Sequence, residues 1–150
     1  RLSDIHAALG LSQLSRLEQS IERRQEIAQL YRKLIGKEFA PGEVSVLTNR
    51  DCSVNAYHLF VVQIDFKRFG VSRAKVMNWL RGKGIGTQVH YIPVHLQPYY
   101  RGKYHTKPGD FPNAEDYYQK ALSLPMYPGL TDRDIERVVV ALAKSLKGNL

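Results

Sequence analysis

The stretch YHLFVVQID, residues 57–65, sets the architecture. It is rich in β-branched and aromatic side chains, which fit a pleated surface. Its uninterrupted middle, Leu59 to Val62, predicts a strand covered on both faces. Such a strand requires helices to cover it, and the flanking sequence supplies them.

On the N-terminal side, Ser3 is a good N-cap for a helix from about residue 4. Leu14, Leu17, Ile21, Ala28, Tyr31 and Ile35 recur at three- and four-residue steps, with Arg24 interrupting. The stripe predicts a helix face about five turns long, bent at Gly10 and stopped at Gly36. Core is the expected role of that face; contact with a partner helix is the alternative. Residues 37–55, with Pro41, Gly42 and the polar run TNRDCSVN, predict a surface loop.

On the C-terminal side, Ser72 caps a helix with Val76, Trp79 and Leu80 inward and Gly82 and Gly84 at its end. IGTQVHYI (85–92) predicts a second strand. LSLPM (122–126) predicts a third, after a helix near 113–121. Thr131 and Asp134 have capping-box spacing, with Asp in place of Glu. They open a last helix with Ile135, Val138, Val139, Leu142 and Leu146 on one side. The order αβαβαβα gives an α/β fold of the α+β kind, a small sheet of about three strands with helices packed on it.

A chain of 150 residues suits one domain with a core, and 43% apolar with 24% charged residues is the balance of a globular protein. No apolar run approaches the length of about 18 residues that spans a bilayer, so no membrane segment is expected. The N-terminus lacks a signal-peptide pattern. Cys52 is the one cysteine and cannot close an internal disulfide, so a cytoplasmic location is expected. Nothing beside Cys52 in sequence pairs it with a base, so an inert thiol is expected. The net charge of +8 favours an anionic partner: nucleic acid, nucleotide, phosphate or an acidic surface. Basic residues are spread along the chain, with one dense helical cluster at Arg23, Arg24, Arg32 and Lys33. The chain opens RLSDIHAALG rather than with Met, which reads as the end of a longer protein.

The stretch GIGTQVHYIPVHLQPYYRG (84–102) carries the unusual chemistry. On strand alternation, Ile85, Thr87, Val89 and Tyr91 share one face; Gly86, Gln88, His90 and Ile92 share the other. The second face is small and polar and is expected to look into a cleft or solvent. His90 falls at the strand end, where binding groups gather. Pro93 and Pro98 stiffen the chain beyond it. PYYRGKY (98–104) sets aromatics beside Arg101 and Lys103, a surface suited to a phosphate or a planar ring. His90 and His95 lack zinc-motif spacing, and no nearby Cys or carboxylate completes a metal site. No serine sits in a nucleophile elbow. GKGIGTQ contains G-x-G-x-G but leaves a helix and enters a strand, the reverse of a dinucleotide fingerprint. Structural hydrogen bonding stays open as the whole role of His90 and His95.

Four blocks occur in order across nearly the whole chain: RLSDIHAALGLSQLSRLEQSIERRQEIAQLY, NAYHLFVVQI, GIGTQVHYIPVHLQPYY and AEDYYQKALSLPMYPGLTDRDIERVV. Together they resemble the C-terminal part of the pyridoxal-phosphate-dependent nucleotide-sugar aminotransferases of the DegT/StrS type. RLSDIHAALGLSQL and VHYIPVH are most similar to the members that aminate a UDP-4-keto-6-deoxy-N-acetyl sugar in pseudaminic acid synthesis, the UDP-4-amino-4,6-dideoxy-N-acetyl-altrosamine transaminases. The resemblance implies fold type I. Residues 1–150 would be its small C-terminal domain plus a long connecting helix, with the N-terminal cofactor-binding domain absent.

It also implies pyridoxal phosphate held as a Schiff base on a lysine upstream of Arg1. No lysine of these 150 residues matches that lysine, so no cofactor is expected bound covalently to this chain, and the chain alone is expected to be inactive. An asparagine two residues before Arg1, which touches the cofactor phosphate across the dimer, is likewise outside the chain. Arg1 would contribute to substrate binding from across a dimer interface. His90 and Tyr91 would reach the sugar or nucleotide, and His95 would lie close to the same cleft. No residue here is implied to be catalytic. The implied partners are a nucleotide sugar, an amino-acid donor such as glutamate, and a second copy in a homodimer. Surfaces left bare, the Leu14–Ile35 stripe above all, are expected to drive two-fold self-association. The competing expectation, from charge, is a non-catalytic basic module that binds RNA or another polyanion.

Overall fold

The computed structural model describes residues 2–48 and 53–148, so Arg1 and Cys52 lie outside the described residues. The elements are α1 (Asp4–Leu14), α2 (Leu17–Glu38), β1 (Val44–Val46), β2 (Phe60–Ile64), α3 (Arg73–Gly82), α4 (Pro98–Tyr104), α5 (Pro112–Lys120), β3 (Ala121–Leu124) and α6 (Asp132–Lys147). A 3-10 turn spans Val94–Leu96. The sheet has three antiparallel strands in the order β1-β2-β3.

The central strand forms where its composition placed it, but its burial alternates. Phe60, Val62 and Ile64 are buried, while Val61 and Gln63 are half-buried. The strand buried along its whole length is β3. It pairs with β2 on one edge, Phe60 opposite Leu124 and Val62 opposite Leu122, and meets Gln88 on the other. The first strand of the sheet is β1, inside the region expected to be loop. Val44 and Val46 sit opposite Ile64 and Val62, so three residues of alternating pattern suffice to extend an existing edge.

The helical layer is α2, α3 and α6. Ile27, Tyr31 and Ile35 of α2 meet Val76 and Leu80 of α3 and Ile135, Val138, Leu142 and Leu146 of α6 over Phe60, Val62, Ile64, Leu122 and Leu124. Removing each such side chain from water contributes about 1.5–3 kcal/mol. The Tyr31 ring stacks on Phe60 with centroids 4.7 Å apart, and its hydroxyl donates to the Pro125 carbonyl at 3.0 Å. The expected capping box opens α6: Thr131 Oγ1 accepts from the Asp134 N–H, and Asp134 Oδ2 accepts from the Thr131 N–H, both at 3.2 Å.

The long N-terminal helix is two helices. Gly10 lies within α1, and the break falls at Ser15–Arg16 instead. There the Ser15 hydroxyl donates to the Ser12 carbonyl at 2.9 Å, and the Arg16 Nε–H does so at 3.4 Å. Side-chain donors compete for the carbonyl the helix would use. Gly36 does not end α2, which runs to Glu38; Phe39 then turns extended and is buried beside Phe69. The apolar stripe enters the core only from Ile27 onward. Leu14 and Leu17 stay exposed, and α1 has no buried residue.

Arg24 breaks the stripe because its position needs a cation. Its Nη1 donates to the carbonyls of Tyr57 (2.9 Å) and Met126 (3.2 Å), tying α2 to the entry of β2 and the exit of β3. Tyr57 has φ 47°, uncommon for a bulky residue. The Arg24 bond on its carbonyl and the Asn55 side chain on its N–H at 2.7 Å hold it there.

Candidate functional site

Segment 85–92 runs along the free edge of β3 but does not form the expected strand. One antiparallel bridge joins Gln88 to Ser123, with backbone bonds of 3.2 and 2.8 Å. Gly84, at φ 72°, and Gly86 bring no side chain to pack, and Pro93 has no N–H to give. Ile85 is buried and anchors the start. The two faces expected from strand alternation therefore apply at Gln88 alone, and His90 ends an edge segment rather than a strand.

His90 is half-buried. Its Nδ1 lies 2.8 Å from Ser123 Oγ, so β3 holds the ring at the sheet margin. Tyr91 packs T-shaped against it, centroids 4.8 Å apart at 89°, yet is 73% exposed. Ile92 and Val94 are also exposed. This short run is what the edge offers to a ligand: a phenol, a neighbouring imidazole and apolar surface.

His95 is turned inward and is 8% exposed. Its Nε2 is 2.9 Å from Glu115 Oε1 at the start of α5, and its carbonyl accepts from the Thr106 hydroxyl at 2.6 Å. Glu115 Oε1 also accepts the Gly109 N–H at 2.8 Å. These bonds, the His95 bond first, hold the Glu115 carboxyl below the usual carboxylate range. A lowered carboxylate value in the fold means stability that is present above the unfolded value, near pH 4.3, and lost as pH falls through the folded one. Replacing Glu115 by Gln is therefore expected to flatten the fall of the urea midpoint between about pH 5 and pH 3. A midpoint in Glu115→Gln that falls as steeply as in the parent would contradict the pairing.

Beyond the 3-10 turn, PYYRGKY is a seven-residue helix, α4, with proline in its first turn, where the missing N–H is harmless. Tyr100 and Tyr104, one turn apart, stack at 6.1 Å. With Val94, His95, Thr106 and Phe111 they line a cavity of about 550 Å³ walled mostly by carbon. Lys103 lies over the Tyr99 and Tyr104 rings at 5.5 and 5.4 Å. Of the two cations expected beside the aromatics, Lys103 is the one set against their rings.

The structure brings His90 and Tyr91 into contact and gives His95 its own anchor. Two polar residues the sequence did not flag complete the arrangement, Ser123 and Glu115. Neither stands out in the sequence, since Ser123 sits in an apolar strand and Glu115 in the first turn of a helix. The dense basic cluster resolves differently. Arg23 bonds Glu26, Asp132 and the Leu130 carbonyl, and the two carboxylates, Glu26 first, raise its pKa. Arg24 holds two carbonyls, and Arg32 donates to the Leu47 carbonyl at 2.8 Å; Lys33 is exposed. Among the described residues no group of three His, Cys, Asp or Glu could hold a metal, and no helix is long and apolar enough to cross a membrane.

A three-stranded antiparallel sheet packed by helices is the C-terminal subdomain of fold type I aminotransferases. Residues 1–143 match the DegT/DnrJ/EryC1/StrS aminotransferase family, and the chain belongs to it. It is 42% identical over 146 residues to the spore coat polysaccharide biosynthesis protein SpsC of Bacillus subtilis, covering 97% of this chain and 37% of that protein. Its fold is shared with Helicobacter pylori PseC, an aminotransferase involved in the biosynthesis of pseudoaminic acid. There the TM-score is 0.86 and the identity 26%, over 99% of this chain and 38% of that one. DesV of S. venezuelae, solved in complex with a ketimine intermediate, gives a TM-score of 0.82 and 29% identity, over 96% of this chain and 36% of that one. The chain thus spans just over a third of the length of the relatives it matches.

Proposed function

We propose that residues 1–150 are the C-terminal domain of a pyridoxal-phosphate-dependent aminotransferase of nucleotide-sugar and polysaccharide biosynthesis. The full-length enzyme moves an amino group from an amino acid, glutamate, to a UDP-4-keto-6-deoxy sugar on the way to pseudaminic acid. It acts as a cytoplasmic homodimer. This domain forms one wall of the sugar site. Tyr91 and His90 meet the sugar or nucleotide, His95 stands close to the same cleft, and Arg1 reaches the partner's site.

The observation that carries the reading is the exposed Tyr91 beside the Ser123-anchored His90, in a chain of aminotransferase family. The likeness to PseC, whose product pathway is that of pseudoaminic acid, supports the choice of sugar.

No described residue is proposed to hold the cofactor. No lysine lines the cavity beside His95, and the lysines are exposed or half-exposed on the surface. The cofactor is assigned to the rest of the full-length protein. This domain's own work is recognition. Hydrogen-bond donors, aromatic faces and the cations of 101–107 orient a charged, ring-bearing substrate, and binding energy from its remote parts places the keto carbon. Binding of RNA or another polyanion is the second reading. Its main support, the basic cluster of α2, is weakened because three arginines there bond groups of their own chain.

The test is turnover. The full-length protein with pyridoxal phosphate, L-glutamate and a UDP-4-keto-6-deoxy-N-acetylhexosamine is expected to yield the 4-amino sugar and 2-oxoglutarate. No amino sugar from this or any other nucleotide-linked ketosugar would reject the reading.

A further inference from the structure

The exposed run Tyr91–Val94 is strung between two anchors. At one end His90 Nδ1 meets Ser123 Oγ on β3 at 2.8 Å. At the other, His95 is gripped twice: its ring by Glu115 at 2.9 Å and its carbonyl by Thr106 at 2.6 Å. Gln97 Nε2 also donates to the Ile92 carbonyl of the run at 3.3 Å. The run has little packing of its own, since Tyr91, Ile92 and Val94 are all at least half exposed. Its geometry is therefore set from its ends.

The Glu115 end is the more elaborate. One carboxylate oxygen takes both the His95 ring and the Gly109 N–H, so α5, the 105–111 loop and the 3-10 turn meet at a single atom. The His95 ring also lies 4.8 Å from Phe111 in the cavity wall. A largely buried ionisable pair is a poor device for stability, because apolar residues of the same shape do as well or better. What it supplies is direction. A carboxylate that accepts a ring N–H fixes both the tautomer and the orientation of an imidazole, as carboxylates do behind metal-bound histidines.

We infer that Glu115 is a positioning residue, which acts through His95 to hold Tyr91–Val94 in the shape the substrate meets. Glu115 does not touch substrate. The Nε2–H given to Glu115 fixes the direction of the ring, and the turn around His95 is closed by the Leu96 and Gln97 amides, bonded to Pro93 and Val94 carbonyls at 2.9 and 3.0 Å. The inference rests on the reading of this run as a wall of the sugar site.

The test uses the full-length protein with Glu115→Ala, Glu115→Asp, Glu115→Gln and Thr106→Val. Two quantities are measured: steady-state constants for the UDP-4-keto-6-deoxy-N-acetylhexosamine with L-glutamate, and hydrogen exchange at the Leu96 and Gln97 amides. Glu115→Ala is expected to raise KM for the ketosugar about tenfold or more while kcat stays within about threefold. Exchange at Leu96 and Gln97 accelerates while β2 keeps its protection. Glu115→Gln restores most of the KM, because its amide oxygen still accepts the His95 proton. Thr106→Val shifts both readouts in the direction of Glu115→Ala. A folded Glu115→Ala with parental KM and parental exchange at these amides overturns the inference. Should Glu115→Ala not fold, Glu115→Asp, whose shorter side chain draws the carboxylate back from His95, decides, and parental KM and exchange in it overturn the inference equally. A parent protein that turns over no ketosugar strikes the aminotransferase reading instead, while the exchange measurement still decides for Glu115.

Discussion

Phe60→Ala is expected to cost about 3–5 kcal/mol, the usual loss when a large aromatic is cut from a packed core. Phe60 is 2% exposed at the start of the central strand. It faces Leu124 across the sheet and stacks on Tyr31 from α2, so it joins both strands to the helical layer. Truncation leaves a void bounded by β-strands on one side and α2 on the other, two elements that cannot both move inward. Domains of this size hold about 5–15 kcal/mol in all, so the variant should sit near its unfolding transition at room temperature. Urea unfolding followed by circular dichroism measures this. A midpoint change worth less than about 1 kcal/mol would mean that the site collapses freely and that Phe60 is not a keystone between layers.

Arg24→Met is expected to cost about 2–4 kcal/mol, although methionine packs well and removes a half-buried charge. The loss comes from the two bonds that the Arg24 guanidinium gives to the Tyr57 and Met126 carbonyls. Hydrogen bonds from a charged donor contribute more than neutral ones. Lys33→Met on the exposed side of the same helix is the control, with an expected change within about 0.5 kcal/mol. Equal effects at the two positions would show that Arg24 acts as surface charge and not as the tie between α2 and the ends of β2 and β3.

That pair of residues also shows where sequence is informative. Periodicity located α2, α3 and α6, though not the break at Ser15–Arg16 or the short α4, and the Thr131–Asp134 spacing located a cap, because each is a local rule written in neighbouring residues. The same periodicity flagged Arg24 only as an interruption. Its reason lies in two carbonyls 33 and 102 positions away, which no local pattern carries. The strand at 85–92 was expected from its β-forming residues, but pairing along an edge depends on which partner the edge meets, and glycine and proline left room for one bridge. β1 escaped notice because three residues are too few for a period; it exists because β2 offered an edge. Of the candidate site, His90 and the aromatic run 99–104 stood out by composition, and Tyr91 only through the family resemblance. Ser123 and Glu115 did not, since a serine in an apolar strand and a glutamate in a helical first turn have ordinary explanations until the fold sets them against the two histidines.

The exposed Tyr91 and its anchored neighbour His90 are the centre of the functional account. In the full-length protein, the measurement is the steady-state constants of Tyr91→Phe and His90→Ala with the UDP-4-keto-6-deoxy-N-acetylhexosamine, alongside their urea midpoints. His90→Ala also gives up the Ser123 bond, so about 1 kcal/mol of stability should go with it, and Ser123→Ala reads that part alone. The account predicts a rise in KM of about tenfold or more for each site variant, the equivalent of one lost hydrogen bond to a charged group, with Tyr91→Phe as stable as the parent. Parental constants for the ketosugar in both Tyr91→Phe and His90→Ala would contradict it.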